Sequence, residues 1–147
     1  MQAFLDQLEA LIRAEYAEQD GMVEEFLSGE PVSEAEIAAA EKELGTPFPA
    51  LYRALLLRFG ANCYLGIEID DLAQVVESTK WVRRHFARHE TLPAGLLQQG
   101  IAFAGDGSGN YFMLHDGAIW LPDHDSGKCI QEAESLEAFL LAANGAD

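Results

Sequence analysis

The sequence predicts an α+β fold: one domain with a mostly antiparallel sheet of about 4–6 strands and helices packed on one side or end. Three observations support this. Apolar residues recur with helical spacing through much of the first 90 residues, and the last third alternates in short stretches typical of strands. The order of helices, a strand, a helix, a strand meander and a final helix argues against a doubly wound parallel sheet.

Helices are predicted in the first half of the chain from periodicity and end signals. Residues 2–19 form an amphipathic pattern that Asp20-Gly21 interrupts. The next helix begins at a capping box, Ser33 with Glu36, and stops at Gly45. A third helix opens at Pro49 and runs to Gly60.

The change of period after Gly60 predicts a strand over 62–69, with Gly66 as a bulge. Asp70-Asp71 then caps a helix over roughly 72–89. The last third predicts strands at 101–104, 111–115, 118–121 and 128–132, separated by turns. Ser135 is the expected N-cap of a closing helix.

Composition and charge narrow the function classes. The 147 residues fit a single domain, taken here as residues 1–147, and they carry a formal net charge of −16. Residues 1–50 hold twelve acids against two bases, and residues 101–147 hold eight against one. Such a field repels nucleic acid and anionic membrane and attracts a basic protein. With no secretory signal or membrane span visible, we expect a cytoplasmic protein. The alternative is that the acidity serves only solubility.

No pattern of catalytic or cofactor-binding residues is complete, so we expect neither an enzyme nor a bound cofactor. The glycine-rich stretch 105–110 lacks the lysine of a P-loop and precedes a strand, which favours a hairpin turn. The two cysteines, Cys63 and Cys129, form no C-x-x-C pair, and we expect reduced, largely buried thiols. Pairing between them stays open.

Histidines and acids in the last third suggest one alternative, a metal-dependent hydrolase. Its ligands would be the pairs His115-Asp116 and His124-Asp125, with Asp106 and Asp123 added to the cluster. The spacing is not diagnostic of a metal and favours loop carboxylates solvated at the surface. His85 and His89 share a helix face at i, i+4, but the glutamate of a zinc-protease motif is absent.

Two stretches resemble one known family. Residues 32–61, "VSEAEIAAAEKELGTPFPALYRALLLRFGA", and residues 101–114, "IAFAGDGSGNYFML", are similar to the signatures of the SUKH superfamily of Smi/Knr type. The resemblance covers roughly 32–144, with residues 1–30 as an N-terminal helical extension. The residues that carry its first signature are Ile37, Glu41, Leu44, Gly45, Pro49, Tyr52 and Gly60.

The resemblance implies a largely non-enzymatic domain that works by binding another protein. Bacterial members are associated with immunity against toxins, often nucleases, and fungal relatives act as regulatory interaction proteins. We therefore expect an immunity protein that binds a basic toxin directly; the alternative is a regulatory adaptor. Monomer and homodimer both stay open. The residues expected at the partner surface are Tyr64, Asp70, Asp71, Asp106, Trp120, Asp123 and Asp125.

Overall fold

The computed structural model describes residues 1–17, 31–64, 66–89 and 91–142. Its helices are α1 (Gln2–Glu15), α2 (Glu34–Leu44), α3 (Ala50–Arg58), α4 (Leu72–His85), α5 (Leu96–Gln99) and α6 (Leu136–Ala142). Its strands are β1 (Cys63–Tyr64), β2 (Ile67–Glu68), β3 (Ile101–Gly105), β4 (Tyr111–His115), β5 (Ala118–Pro122) and β6 (Cys129–Ala133). This confirms the predicted α+β class.

The sheet is antiparallel and follows chain order. Strands β3, β4, β5 and β6 are neighbours in that sequence, and β1 pairs with β2 in a separate two-stranded hairpin. Short turns join β3 to β4 and β4 to β5, as the glycine and aspartate signals predicted. The stretch 105–110 is therefore a hairpin connection.

Because side chains alternate along the strands, the two faces of the sheet pack in two separate apolar clusters. Ile101, Phe103 and Leu114 join the larger cluster with residues of α1, α2, α3 and α6. Ala102 and Met113 face a smaller cluster that includes Val82 and Phe86 from the end of α4 and its following turn. A period of two along the strands produces this division, except that the register shift between Ala102 and Ala104 places Ala104 in the larger cluster together with Phe103.

Local signals start α2 and α4, and stop α2, as predicted. Ser33 and Glu36 form both hydrogen bonds of the capping box, and Gly45 ends α2 in the left-handed conformation at φ 71°. The Asp71 side chain accepts a hydrogen bond from the Gln74 N–H, at 2.8 Å, and caps α4.

Three predicted element boundaries were wrong. The strand expected over 62–69 is a hairpin, because Gly66 has a φ of 97° and lies in the turn between β1 and β2 instead of forming a bulge. Helix α4 ends at His85, since Phe86 leaves helical geometry. Helix α1 ends at Glu15; the rest of its predicted span reaches residues outside the described ranges. The four-residue helix α5 was not predicted.

The residues that carry the first signature stabilise the fold. Glu41 accepts a hydrogen bond from the Phe48 N–H at 2.6 Å and pairs with Arg53 at 2.8 Å, which ties α2 to α3. Tyr52 is fully buried, and Gly60 has a φ of 79° that glycine adopts without strain. These side chains hold the two helices together.

The outer edge of β3 is covered by residues 70–79. The Asp70 N–H donates to the Phe103 carbonyl oxygen at 3.0 Å, and the Ala102 N–H donates to Thr79 Oγ1 at 3.0 Å. Thr79 and Ala102 are both fully buried. An edge strand presents unpaired backbone groups, and here a helix and its preceding segment satisfy two of them.

We expect Thr79→Val to lower the free energy of unfolding by about 1–3 kcal/mol, because it leaves the buried Ala102 N–H without an acceptor. Thr79→Ser keeps the hydroxyl and is the matched control, with a smaller loss. Urea unfolding measures both variants. Equal stability of the valine variant and the parent protein would show that this hydrogen bond does not hold the β3 edge.

Candidate functional site

A depression of about 580 Å³ lies where the β1–β2 hairpin meets the start of α4. Three carboxylates line it, from Glu68, Asp70 and Asp71. The rest of the lining is Ala61, Asn62, Cys63, Ile69 and Gln74. We call this surface the acidic depression; among the described residues, no lysine, arginine or histidine lines it.

The fold places the three carboxylates for separate local reasons. Glu68 is an exposed residue of β2, and Asp71 is exposed as the N-cap of α4. Asp70 lies between them, partly buried, with its backbone held on Phe103 of β3. The convergence therefore depends on the hairpin, the helix start and the sheet edge together.

Electrostatics distinguish Asp70 from its neighbours. Burial raises the pKa of its carboxyl, and repulsion from Glu68 and Asp71 raises it further. Burial raises the pKa of the Tyr52 phenol, and the nearby carboxylate of Asp70 raises it further. The Tyr52 hydroxyl is buried and has no hydrogen-bond partner among the described residues. A cation placed in the depression would relieve the repulsion.

The lysines and arginines that form ion pairs do so away from the acidic depression. Arg53 pairs with Glu34 and Glu41, while Arg58 pairs with Asp6 at 2.8 Å and Glu9 at 3.3 Å. These pairs neutralise acids of α1 and α2. The carboxylates of the depression keep their negative charge uncompensated by described residues.

The basic side chains of α4 and of the turn that follows it are only partly paired. Lys80 contacts Glu43 at 2.8 Å. Arg84 and Arg88 are exposed, and neither forms an ion pair with a described residue.

Two of the predicted partner-surface residues, Asp106 and Asp123, accept hydrogen bonds within their own loops. Asp106 accepts hydrogen bonds from the Ser108 N–H at 2.8 Å and the Asn110 N–H at 3.1 Å. Burial opposes ionisation there, but these bonds outweigh it and lower the carboxyl pKa. Asp123 accepts from the Asp125 N–H at 2.9 Å, which lowers its pKa in the same way.

Tyr64 was wrongly placed on the partner surface. Its side chain is fully buried, and its hydroxyl donates to the Gly60 carbonyl oxygen. Trp120 is half-buried on the smaller apolar cluster, with its indole N–H donating to the His115 carbonyl oxygen at 3.3 Å. Asp125 is largely exposed, beside His124. Of the predicted set, only Asp70 and Asp71 lie together at the depression.

The structure separates the histidines of the metal-hydrolase alternative. His115 is buried at the end of β4, where its Nε2 forms a hydrogen bond with the Ala94 carbonyl oxygen at 2.9 Å. His124 binds Asn110, just before the start of the same strand. Five strand residues span roughly 13–16 Å, so these two histidines do not share one ion.

A second group of ligand-type side chains lies in the β5–β6 loop. Ligand atoms of Asp123, His124 and Asp125 fall within 4.8 Å of one another. His124 also lies near His85, with ring centroids 6.2 Å apart, and His85 stacks on Trp81 at 4.5 Å. Sequence spacing alone did not bring His85 and His124 together. The loop carboxylates are exposed or already hydrogen-bonded, so we assign no chemistry to this group.

Both thiols are free. Cys63 is exposed in the lining of the depression, contrary to the expected burial, because the residue that β1 buries is the neighbouring Tyr64. Cys129 is partly buried, and burial raises its pKa to about 11. A thiol protonated at neutral pH is a weak nucleophile.

The fold and the described surface define an α+β domain that carries an acidic depression without a basic side chain among its described lining residues. The model of the SMI1 / KNR4 family (SUKH-1) matches residues 31–142, and the chain belongs to that family. No curated protein matches the chain significantly. Across the described ranges, no helix has the length and apolar character needed to cross a lipid bilayer.

We expect Asp70→Asn to raise the free energy of unfolding at pH 7. Asp70 has a raised pKa in the folded protein, so below the ordinary pKa of about 4 it is protonated in both states and costs nothing. Between that value and the raised folded-state pKa, the unfolded carboxyl ionises while the folded one keeps its proton, so stability falls as the pH rises and the loss is complete above the folded pKa. The gain from asparagine should therefore shrink between pH 7 and pH 3 in urea unfolding.

Glu132→Gln is the control for this experiment, because it removes one exposed charge far along the chain from the depression. Equal gains in the two variants would assign the effect to overall net charge. A gain in the free energy of unfolding that stays the same from pH 7 to pH 3 would show that ionisation of Asp70 does not cause it.

Proposed function

We propose that this protein is a non-enzymatic immunity protein that neutralises a basic protein toxin, such as a nuclease, by binding it through the acidic depression. The observation that carries the proposal is the convergence of Glu68, Asp70 and Asp71 on one concave surface without a neighbouring base. The proposal places the protein in the cytoplasm.

Electrostatics support a basic partner. A chain with a net charge of −16 steers a basic protein toward it and raises the association rate by roughly 10 to 10³. A concave surface with converging carboxylates then receives a lysine or arginine side chain, and Asp70 loses its repulsion in the complex. Nucleases are suitable partners, because their substrate sites are basic.

The family signature supports binding over catalysis. Its polar residue Glu41 is engaged with the Phe48 backbone and Arg53, which leaves it no part in chemistry on a substrate. Families of this kind include both immunity and regulatory proteins. The second candidate is accordingly a regulatory adaptor that uses the same depression on a non-toxic partner.

The test begins by capturing partners from the source organism's lysate and identifying those released at high salt. The captured protein is then expressed alone and together with this chain, and growth is measured. Toxicity that this chain suppresses supports the immunity function. A non-toxic stoichiometric partner supports the adaptor instead.

We expect the variant Glu68→Gln, Asp70→Asn, Asp71→Asn to associate with that partner about tenfold more slowly than a control of equal net charge. Asparagine at 71 retains an N-cap, so α4 should keep its start. The control is Glu132→Gln, Glu134→Gln, Glu137→Gln, which removes three exposed acids elsewhere. Stopped-flow rates at low and high salt measure the difference; equal rates would exclude the depression as the contact.

A further inference from the structure

A second concave surface lies between α2 and α4, with a volume of about 410 Å³. Its apolar lining comes from Ala39 and Ala40 of α2 and from Leu72, Ala73 and Val76 of α4. Ala40 and Val76 are nearly buried, while Ala39 and Ala73 are exposed. Because alanine side chains are short, the backbone of another segment can approach this surface closely.

Carboxylates surround this apolar floor. Glu36, Glu43 and Glu77 line the same groove, and all three residues are exposed. Lys80 pairs with Glu43, and Arg83 donates to the Leu44 carbonyl oxygen at 2.8 Å, so the groove's basic contacts lie at the C-terminal end of α2. The Glu36 carboxylate also accepts a hydrogen bond from the Ser33 N–H at 3.2 Å, so Glu77 is the rim carboxylate that forms neither an ion pair nor a hydrogen bond with a described residue.

We propose that the α2–α4 groove binds an amphipathic helix of the partner, with aliphatic side chains on the floor and lysines or arginines against the glutamates. This inference rests on the proposed function and names the element of the partner that is recognised. Helix-in-groove binding uses anchors at i, i+3 or i+4, and i+7. The wall from Glu36 to Glu43 is about 10 Å long, which matches two turns of a partner helix.

Charge opposes two other occupants. A second copy of this chain brings another net charge of −16 against the rim. An anionic membrane surface is repelled likewise. A basic partner segment is the occupant that satisfies both the floor and the rim.

The groove lies next to the acidic depression. Asp71 and Gln74 line the depression, while Leu72, Ala73 and Val76 line the groove, so the first turns of α4 contribute to both surfaces. A partner that inserts a cation on one side of α4 can lay a helix on the other. One contiguous contact surface results.

The test titrates the isotope-labelled full chain with a synthetic 14-residue helical peptide of leucine anchors and flanking lysines, followed by amide NMR shifts. We expect the largest shifts at Ala39, Ala73 and Val76. The same peptide with glutamate in place of lysine, and one with alanine in place of leucine, should bind at least tenfold more weakly. Shifts confined to the acidic depression, or equal binding of the glutamate peptide, would overturn the proposal.

Two variants separate the floor from the rim. Ala39→Gln fills the groove with a helix-compatible side chain, and its control is Ala138→Gln, at an exposed alanine of α6. Glu77→Lys reverses a rim charge, and its control is Glu132→Lys. Each groove variant should lower the affinity for the lysine peptide at least tenfold, and each control should lower it less than twofold. Equal effects of variant and control would contradict the proposed contact.

The peptide experiment needs no toxin, so the two proposals fail separately. Peptide binding in the groove together with a non-toxic captured partner would remove the immunity function and keep the groove. Suppressed toxicity without peptide shifts at the groove would keep the immunity function and remove the helix-binding groove.

Discussion

Closure of the outer edge of β3 by residues 70–79 is the constraint on which the surface architecture depends. Two hydrogen bonds, Asp70 N–H to Phe103 and Ala102 N–H to Thr79, fix where the chain enters α4 and how the helix lies along the sheet. Both strand groups are buried, so leaving them unpaired would be costly. The same contacts bring Asp70 beside Glu68 and Asp71. A structural requirement of the sheet thus positions the acidic depression.

The distribution of charge over the surface, more than the net charge, marks where this protein would bind a basic partner. Arg53 and Arg58 are used in ion pairs that join α1, α2 and α3, where they neutralise nearby acids. The carboxylates at the start of α4 receive no such partner among the described residues. Asp70 is partly buried and repelled by its neighbours, which lowers folded-state stability at neutral pH. Retaining charge at that cost is typical of sites that bind a ligand of opposite sign.

Helix α4 links the sheet to both candidate contact surfaces. One side of its first turns borders the acidic depression, and another borders the groove against α2. Its C-terminal half packs under the smaller cluster through Val82, which keeps the helix rigidly placed. A partner recognised by both surfaces would meet a pre-formed shape, and little ordering would then be needed on binding.

The sequence by itself determined most of the secondary structure, because the signals that start and end these elements are local. The capping box at Ser33, the left-handed stop at Gly45 and the strand meander all depend on residues a few positions apart. The burial of Tyr64 and the meeting of Glu68 with Asp70 and Asp71 were decided by tertiary structure. So was the groove, whose Glu43–Lys80 contact joins residues 37 positions apart. Periodicity describes which face of an element is apolar, but not which other element covers that face; packing settles that, and with it which acids remain exposed together.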